Sequence, residues 1–467
     1  MRKPRVGLLG LYLELYDRVA AEVRPQIDSF YETISGELEN RGVEVARASV
    51  CRLQEEFQAA VASFEEAQAD AVITLHLAYS PSLESAQTLA RTDIPVIVLD
   101  TTPSYSYGPQ QDPAQLMFNH GIHGVQDMCN VLGREGKPFQ IEAGHWEKSD
   151  VLDRVVNWVR AARTAGSMRK ARIGRIGEQF KGMGDFAVDP GVLRSTIGVE
   201  TVPADFAVLK SLMPAEDDAE DGVEAASEMK SDRERFEVVE IDEQAHLGTT
   251  RACLAVRRWI EQENLTGFTM NFDAIDASSG LPTVPFLEAS KAMTRGLGYA
   301  GEGDVLTAAF VGALASSYPE TTFTEMFCPD WENDAIFLSH MGEMNLDLCE
   351  GKPTLMKKSL PWVNTCDPVL AVGRFRAGKA AFVDLAPGPD DTYDLIIAPV
   401  QVVGAKGKDT MEDTVRGWIR PELPLPDFLE DYSRLGGTHH AALVYGNVTE
   451  DLLRFAQIMG WNAAVLG

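Results

Sequence analysis

Four stretches of the chain gather residue types that can hold a cation and move protons. Leu297-Gly-Tyr-Ala-Gly-Glu-Gly-Asp304 sets one carboxylate, Glu302, between two glycines, and Thr321-Thr-Phe-Thr-Glu-Met326 sets Glu325 among apolar neighbours. Phe337-Leu-Ser-His-Met341 ends an apolar run on His340, and Gly436-Gly-Thr-His-His440 places His439 and His440 behind a glycine pair. Two carboxylates with one or two imidazoles make a shell for a divalent cation such as Mn2+, which accepts oxygen and nitrogen donors together. Closely spaced glycines let the backbone approach a ligand or take conformations that other residues resist. Any one of these side chains alone is more often solvated or hydrogen-bonded, so the weight lies in the set. Adjacent residues of a strand point to opposite sides, so at most one of His439 and His440 is expected to reach the cation.

Positioning such a set requires a scaffold, and the hydrophobic periodicity outlines one. Residues 5–13 read as a buried strand, 16–42 as one long amphipathic helix and 43–50 as a second strand. A helix over 57–68, a strand over 70–75, a helix over 82–91 and a strand over 95–100 continue the alternation. A second run opens with a strand at 171–176 and passes through a helix at 249–264, a strand at 268–272 and a helix at 288–294. This rhythm predicts two doubly wound, parallel-sheet α/β domains of the Rossmann or flavodoxin-like kind. Beyond Glu325, short strands at 335–338, 370–375, 379–384 and 392–403, with turns at 388–391 and 404–408, predict a mainly antiparallel β domain, a sandwich or barrel. The expected division is 1–167 for an N-terminal α/β domain, 168–316 for a central one and 317–467 for the β-rich domain that carries most of the candidate ligands.

Three further features are weaker. His76 and Asp100 fall at strand ends, where doubly wound sheets bind ligands, but hydrogen bonds to loop backbone account for them as well. Asn119-His-Gly-Ile-His-Gly124 opens a helix and puts His120 and His123 on one face, as a metal pair or as capping chemistry. Gly182-Met-Gly184 has neither the G-x-G-x-x-G spacing nor a following Lys-Ser/Thr, which argues against a nucleotide site, and the acidic run 216–221 reads as a solvated loop or helix start.

The chain has 467 residues, 45% of them hydrophobic, enough for two or three domains with sizeable cores. A net charge of −28, from 70 acidic and 42 basic residues, repels nucleic acid and anionic membranes and excludes both as partners. The apolar run after the basic start, Val6 to Leu13, is too short for a signal segment or a membrane span. Six cysteines without C-x-x-C spacing read as reduced, mostly buried thiols of a cytoplasmic protein.

The four stretches resemble, in order and near-matching spacing, the signatures of L-arabinose isomerases, within the wider arabinose/fucose isomerase-like superfamily. Gly298 to Asp304 followed by Thr307-Ala-Ala309, Phe323-x-Glu325, Ser339-His-Met341 and Gly436-Gly-x-His-His440 carry the resemblance, and Asn119, His123 and Gly124 match a further run. The resemblance implies that Glu302, Glu325, His340 and His440 ligate the metal, with Glu302 and Glu325 doubling as the proton-transferring pair. It implies that His123 reaches substrate in a neighbouring subunit of a homo-oligomer, a hexamer of two trimers; His120 has no family counterpart. The match weakens where substrate is recognised. Gly10-Leu-Tyr-Leu-Glu-Leu-Tyr16, Gln179-Phe-Lys181 and Phe272-Asp-Ala-Ile-Asp-Ala277 replace the family's usual runs. Tyr12, Phe180 and Lys181, with His439, are the expected sugar contacts, and Leu11 lies beside them.

The reaction so implied interconverts an aldose and its ketose, L-arabinose and L-ribulose first of all. It proceeds either through an enediol, with a carboxylate taking the C2 proton, or by hydride shift beside a Lewis-acidic metal. The same isomerisation on another pentose, a 6-deoxyhexose or a modified sugar is the nearest alternative, and a non-catalytic sugar-binding protein is the alternative of another class. Close carboxylates repel, so one glutamate is expected to carry a raised pKa unless the cation offsets it.

Overall fold

The computed structural model describes residues 2–215, 218–361, 363–404 and 408–467, and the chain divides into two compact units, Met1–Arg163 and Thr164–Gly467. In the first unit, strands β1 (Arg5–Leu11), β2 (Glu44–Arg47), β3 (Ala71–His76), β4 (Val96–Asp100) and β5 (Phe139–Ala143) form a wholly parallel sheet in the order β2-β1-β3-β4-β5. The continuous apolar runs of β1, β3 and β4 are buried on both faces, as helices on either side of a parallel sheet require.

Two expectations fail locally in this unit. The single helix over 16–42 is broken into α1 (Glu14–Val19) and α2 (Arg24–Asn40), because Ala20 leaves helical geometry at φ −152° and Pro25 opens the second helix. Proline has no N–H to give a preceding turn, and its ring suits a first turn only. His120 and His123 do not share one helix either. His120 lies in the break between a short turn of helix and α3 (Ile122–Arg134), where its Nε2 meets the Tyr16 hydroxyl at 2.9 Å. Gly121 and Gly124 let the start of α3 sit on the end of β3, since a Cβ on either would fall 2.3–2.4 Å from His76 atoms. His76 is buried with no hydrogen bond from either ring nitrogen to a described residue, and burial lowers its pKa to about 3, so it is a neutral packing residue.

Helix α4 (Val151–Arg169) carries the chain into the second unit. Here β6 (Arg172–Ile176), β7 (Glu200–Pro203), β9 (Gly267–Met270) and β10 (Gly298–Gly301) form a second parallel sheet in the order β10-β9-β6-β7, while β8 (Glu237–Val239) leaves it to pair elsewhere. Helices α5 (Ala219–Arg235), α6 (Glu243–Gln262) and α7 (Phe286–Thr294) meet around a buried ionic cluster. Arg257 bonds both Glu228 and Glu288, Lys291 reaches Glu228 and Asp232, and His246 pairs with Asp232 at 3.0 Å. Helix α8 (Val305–Ser317), apolar nearly all round, is buried, as such a helix must be.

The remaining strands build the β-rich part: β11 (Thr321–Asp330), β12 (Ala335–Ser339), β13 (Thr354–Lys357), β14 (Val369–Val372), β15 (Gly378–Pro387), β16 (Tyr393–Val403), β17 (Gly417–Pro421), β18 (His440–Tyr445) and β19 (Asn462–Val465). The order β15-β18-β11-β12-β17-β16 is antiparallel throughout, and the long β15–β16 hairpin joins its two ends, so the expected sandwich or barrel is a closed barrel. Closure removes the free strand edges. Strand β19 adds in parallel to β16, and β14-β13-β8 make a small separate sheet. Phe382, Leu443, Ile336, Ile419 and Val402 belong to the barrel's core cluster. Residues 405–407 of the expected 404–408 turn, and Glu216 and Asp217 of the acidic run, lie outside the described residues; Asp218 caps α5. All six cysteines are free, but fewer are buried than expected: Cys328 and Cys366 are exposed.

Candidate metal centre

The centre is built where β10 ends and the barrel begins. After Gly301 the chain turns on Glu302 and Gly303, with φ +64° and +84°, and Asp304 then caps α8 by accepting the Thr307 N–H at 2.9 Å. A left-handed conformation at a glutamate is uncommon and strained, and such strain gathers at functional sites. Glycine is required at 303, because a Cβ would lie 2.7 Å from the Gln179 Cα. Across from this turn, Glu325 of β11 stands directly opposite His440 of β18 and opposite Ser339 of β12, with His340 one residue on. Directly opposed residues share a face, and their Cβ atoms lie about 5 Å apart. Accordingly Glu325 Oε1 is 3.0 Å from His440 Nε2 and 3.1 Å from His340 Nε2, while Glu302 Oε2 is 3.4 Å from His440 Nε2 and 3.7 Å from His439 Nε2.

His439 precedes β18, in a bend, so strand alternation does not separate it from His440; both rings turn to the carboxylates with centroids 4.4 Å apart. The bend follows from its neighbours. Gly436 takes φ +82°, and a Cβ on Gly437 would enter the Tyr432 ring at 2.3 Å. Buried Asp384 accepts hydrogen bonds from the Thr438 N–H, the Thr438 hydroxyl and the Tyr432 hydroxyl.

Behind each imidazole stands a carboxylate. His440 Nδ1 donates to Asp304 at 2.9 Å and His340 Nδ1 to Glu343 at 2.6 Å, both carboxylates being fully buried. His439 Nδ1 donates to Asp185 at 2.6 Å. Each ring therefore presents Nε2 to the glutamates, His439 to Glu302, His340 to Glu325 and His440 to both. Burial raises the pKa of both glutamates, but the surrounding imidazoles outweigh it, taking Glu302 down to about 2 and Glu325 well below the carboxylate range. The expected raised partner is thus absent: the charges facing the two glutamates are those of His340 and His440 rather than each other. Burial alone would lower His340, yet Glu343 and Glu325 carry it to about 10. Two buried atoms at the centre, Glu302 Oε2 and His440 Nε2, make no aligned hydrogen bond to any described residue. Donor atoms of Glu302, Glu325, His439 and His440 all lie within 4.8 Å of one another. Converging oxygen and nitrogen donors with unsatisfied members fit a divalent cation.

The model of the L-arabinose isomerase central domain matches residues 216–317, and that of the L-arabinose isomerase C-terminal domain matches residues 320–462, together more than half of the chain. The chain belongs to the L-arabinose isomerase family. It is similar to L-arabinose isomerase 1 of Bacillus licheniformis, 25% identical with 89% of this chain and 86% of the relative covered. The L-arabinose isomerase of Shouchella clausii is 24% identical, with coverage of 97% and 92%, and that of Anoxybacillus flavithermus 25% identical, with 75% and 70%.

Of the residues that the family resemblance singles out, Glu302, Glu325 and His440 converge, His340 adjoins them through Glu325, and His439 joins the cluster as well. Phe180 donates its backbone N–H to the Glu302 carbonyl at 2.9 Å and packs on Phe272 with ring centroids 5.5 Å apart; Lys181 beside it is exposed. In the first unit, His123 is exposed, near His120 and Tyr79. Tyr12 and Leu11 have no exposed surface there, and burial pushes the Tyr12 hydroxyl up to about 12. Sequence reasoning did not find Asp185, Asp304 and Glu343. Asp304 had a local signal, an aspartate immediately before a helical run, whereas Asp185 lies 254 residues from its partner.

Proposed function

We propose that this chain is a divalent-cation-dependent aldose–ketose isomerase, with L-arabinose and L-ribulose as its leading substrate pair. The observation that carries the reading is the convergence of Glu302 and Glu325 with the histidine Nε2 atoms around unsatisfied buried donors. Family membership supports it. Glu302, Glu325, His340 and His440 would hold the cation, Mn2+ by donor chemistry. A cation held there would act as a Lewis acid toward the sugar carbonyl. Both glutamates are kept ionised by the imidazoles, so one is ready to take the proton on C2 of the aldose and return it to C1, while the other carries a proton between O2 and O1. His439, Phe180 and Lys181 contact the sugar from this unit, and Tyr12 is proposed as a further sugar contact; His123 is assigned by family resemblance alone, from another copy of a homo-oligomer built on trimers. We also propose the finer division at 167/168 and 316/317 and a cytoplasmic location, which six free cysteines support. No helix among the described residues is long and apolar enough to cross a membrane.

The experiment is metal analysis after loading with Mn2+, followed by ketose detection across a panel of aldoses, with Glu302→Gln as the control. Stoichiometric Mn2+ and ketose formation lost by at least about a hundredfold in the control are expected, since a general base contributes roughly 10²–10⁴. Protein that takes up no Mn2+ on loading and converts no aldose to a ketose would refute the proposal. A second reading, another aldose as the preferred substrate, is favoured by the Gln179-Phe-Lys181 run seated directly on the Glu302 carbonyl. A polar wall that fails to match a sugar's hydroxyls discriminates by orders of magnitude. A kcat/KM for L-arabinose at least equal to that of every other aldose tested would dismiss this second reading.

A further inference from the structure

The geometry points to Asp185 as a positioning residue that turns His439 toward the sugar; this rests on the isomerase reading above. One oxygen, Asp185 Oδ2, accepts both the His439 backbone N–H at 2.9 Å and its ring Nδ1–H at 2.6 Å. The two bonds fix different things. The first holds the bend that takes His439 out of strand alternation, and the second fixes the ring's rotation and its tautomer, with hydrogen on Nδ1 and a bare lone pair on Nε2. That lone pair lies 3.7 Å from Glu302 Oε2, too long for a direct hydrogen bond, and is left to accept from a hydroxyl that sits to one side of the pair. His439 thus accepts from a sugar hydroxyl, while its buried neighbour His440, turned by Asp304, faces Glu302 and Glu325.

Exposure separates the two histidines. His440 has no solvent-accessible side chain, whereas His439 and Asp185 are each 37% exposed, as a residue meeting an exchangeable ligand must be. The segment bearing Asp185 is anchored on both sides of it. Phe186 stacks on the His440 ring, centroids 4.7 Å apart and planes 7° from parallel, and the Gln179 side chain donates to the Phe186 carbonyl at 3.1 Å. Phe180, at the other end, is tied to Glu302. The loop after β6 is therefore fastened to the metal centre at Phe180 and Phe186, and Asp185 aims one ring from it.

The test compares Asp185→Ala and Asp185→Asn with the wild type in three measurements: KM and kcat on the best aldose, Mn2+ affinity, and the 15N signals of selectively labelled histidine in the diamagnetic Mg2+ form. The alanine variant is expected to raise KM about tenfold or more, the scale of a lost charge-assisted hydrogen bond, with Mn2+ affinity within about twofold. Its His439 signal should lose the Nδ1–H tautomer. Asparagine, whose amide oxygen can accept both N–H groups, should keep at least about a third of wild-type kcat/KM. An alanine variant with unchanged KM, or one that loses Mn2+ affinity in proportion to activity, would overturn the assignment, as would an unchanged His439 signal. A wild type with the fixed tautomer but no turnover of any aldose would instead count against the isomerase reading and leave the Asp185–His439 pair established by its spectrum.

Discussion

Asp304 uses its two oxygens for two different tasks. Oδ1 caps α8 through Thr307, and Oδ2 holds His440 Nδ1. The tasks can be separated by Asp304→Asn. Asparagine caps helices as well as aspartate does, so thermal stability should fall by no more than about 1 kcal/mol. The charge that makes His440 a better ligand is gone, so Mn2+ affinity should fall about 10–100-fold, the usual cost of changing a residue behind a metal-binding histidine. Titration calorimetry and thermal melts on one preparation decide it; a variant that melts early yet binds Mn2+ normally would show that Asp304 serves the helix alone. At this scale the sequence was informative about the inner ring and silent about the outer one. Glu302, Glu325 and His440 stand in recognisable glycine or apolar settings, whereas Glu343 and Asp185 are ordinary acidic residues until folding sets them 2.6 Å from an imidazole.

Among elements, the meeting of α5, α6 and α7 is where charge bears most on stability. Burial raises the Glu228 pKa, but Arg257 and Lys291 more than reverse it and hold it at about 2. A carboxylate depressed in the folded state stabilises above its unfolded pKa, near 4.5, and that stabilisation is lost as pH falls toward about 2. The contribution is on the order of 3 kcal/mol. Urea midpoints measured from pH 6 to pH 3 should therefore drop steeply below about pH 4.5 in the wild type. Glu228→Gln should start lower at pH 6 and follow a shallower course, and parallel curves would contradict the assignment. The helices and strands themselves were largely legible, because buried parallel strands leave unbroken apolar runs and α8 is apolar all round. The break at Ala20 was missed although Pro25 announced it, since periodicity continues across a kink that a single proline imposes. Barrel closure was not legible: β15–β16 is a local hairpin, but β11–β18 pairs residues more than a hundred positions apart, and no local pattern encodes that partner.

At the scale of the whole molecule the open matter is assembly. His123 is exposed, and its helix is held to β3 by the glycine contacts at 121 and 124, so its position does not depend on its own side chain. If oligomers share sites, inactive His123→Ala and inactive Glu302→Gln subunits refolded together should recover part of the wild-type rate, because some sites then contain both native residues. Mixed oligomers verified by mass spectrometry that remain as inactive as their parents would exclude a shared site. The direct opposition of Glu325 and His440 on paired strands has a different consequence, concerning how such an enzyme can change over generations. A one-residue slip between β11 and β18 would put the two side chains on opposite faces, so any descendant that closes this barrel in register inherits these two donors together. The loop that carries Phe180, Lys181 and Asp185 is under no such obligation. New sugars can be explored there by substitution, one loop residue at a time, while the cation's half of the chemistry is passed on with the barrel.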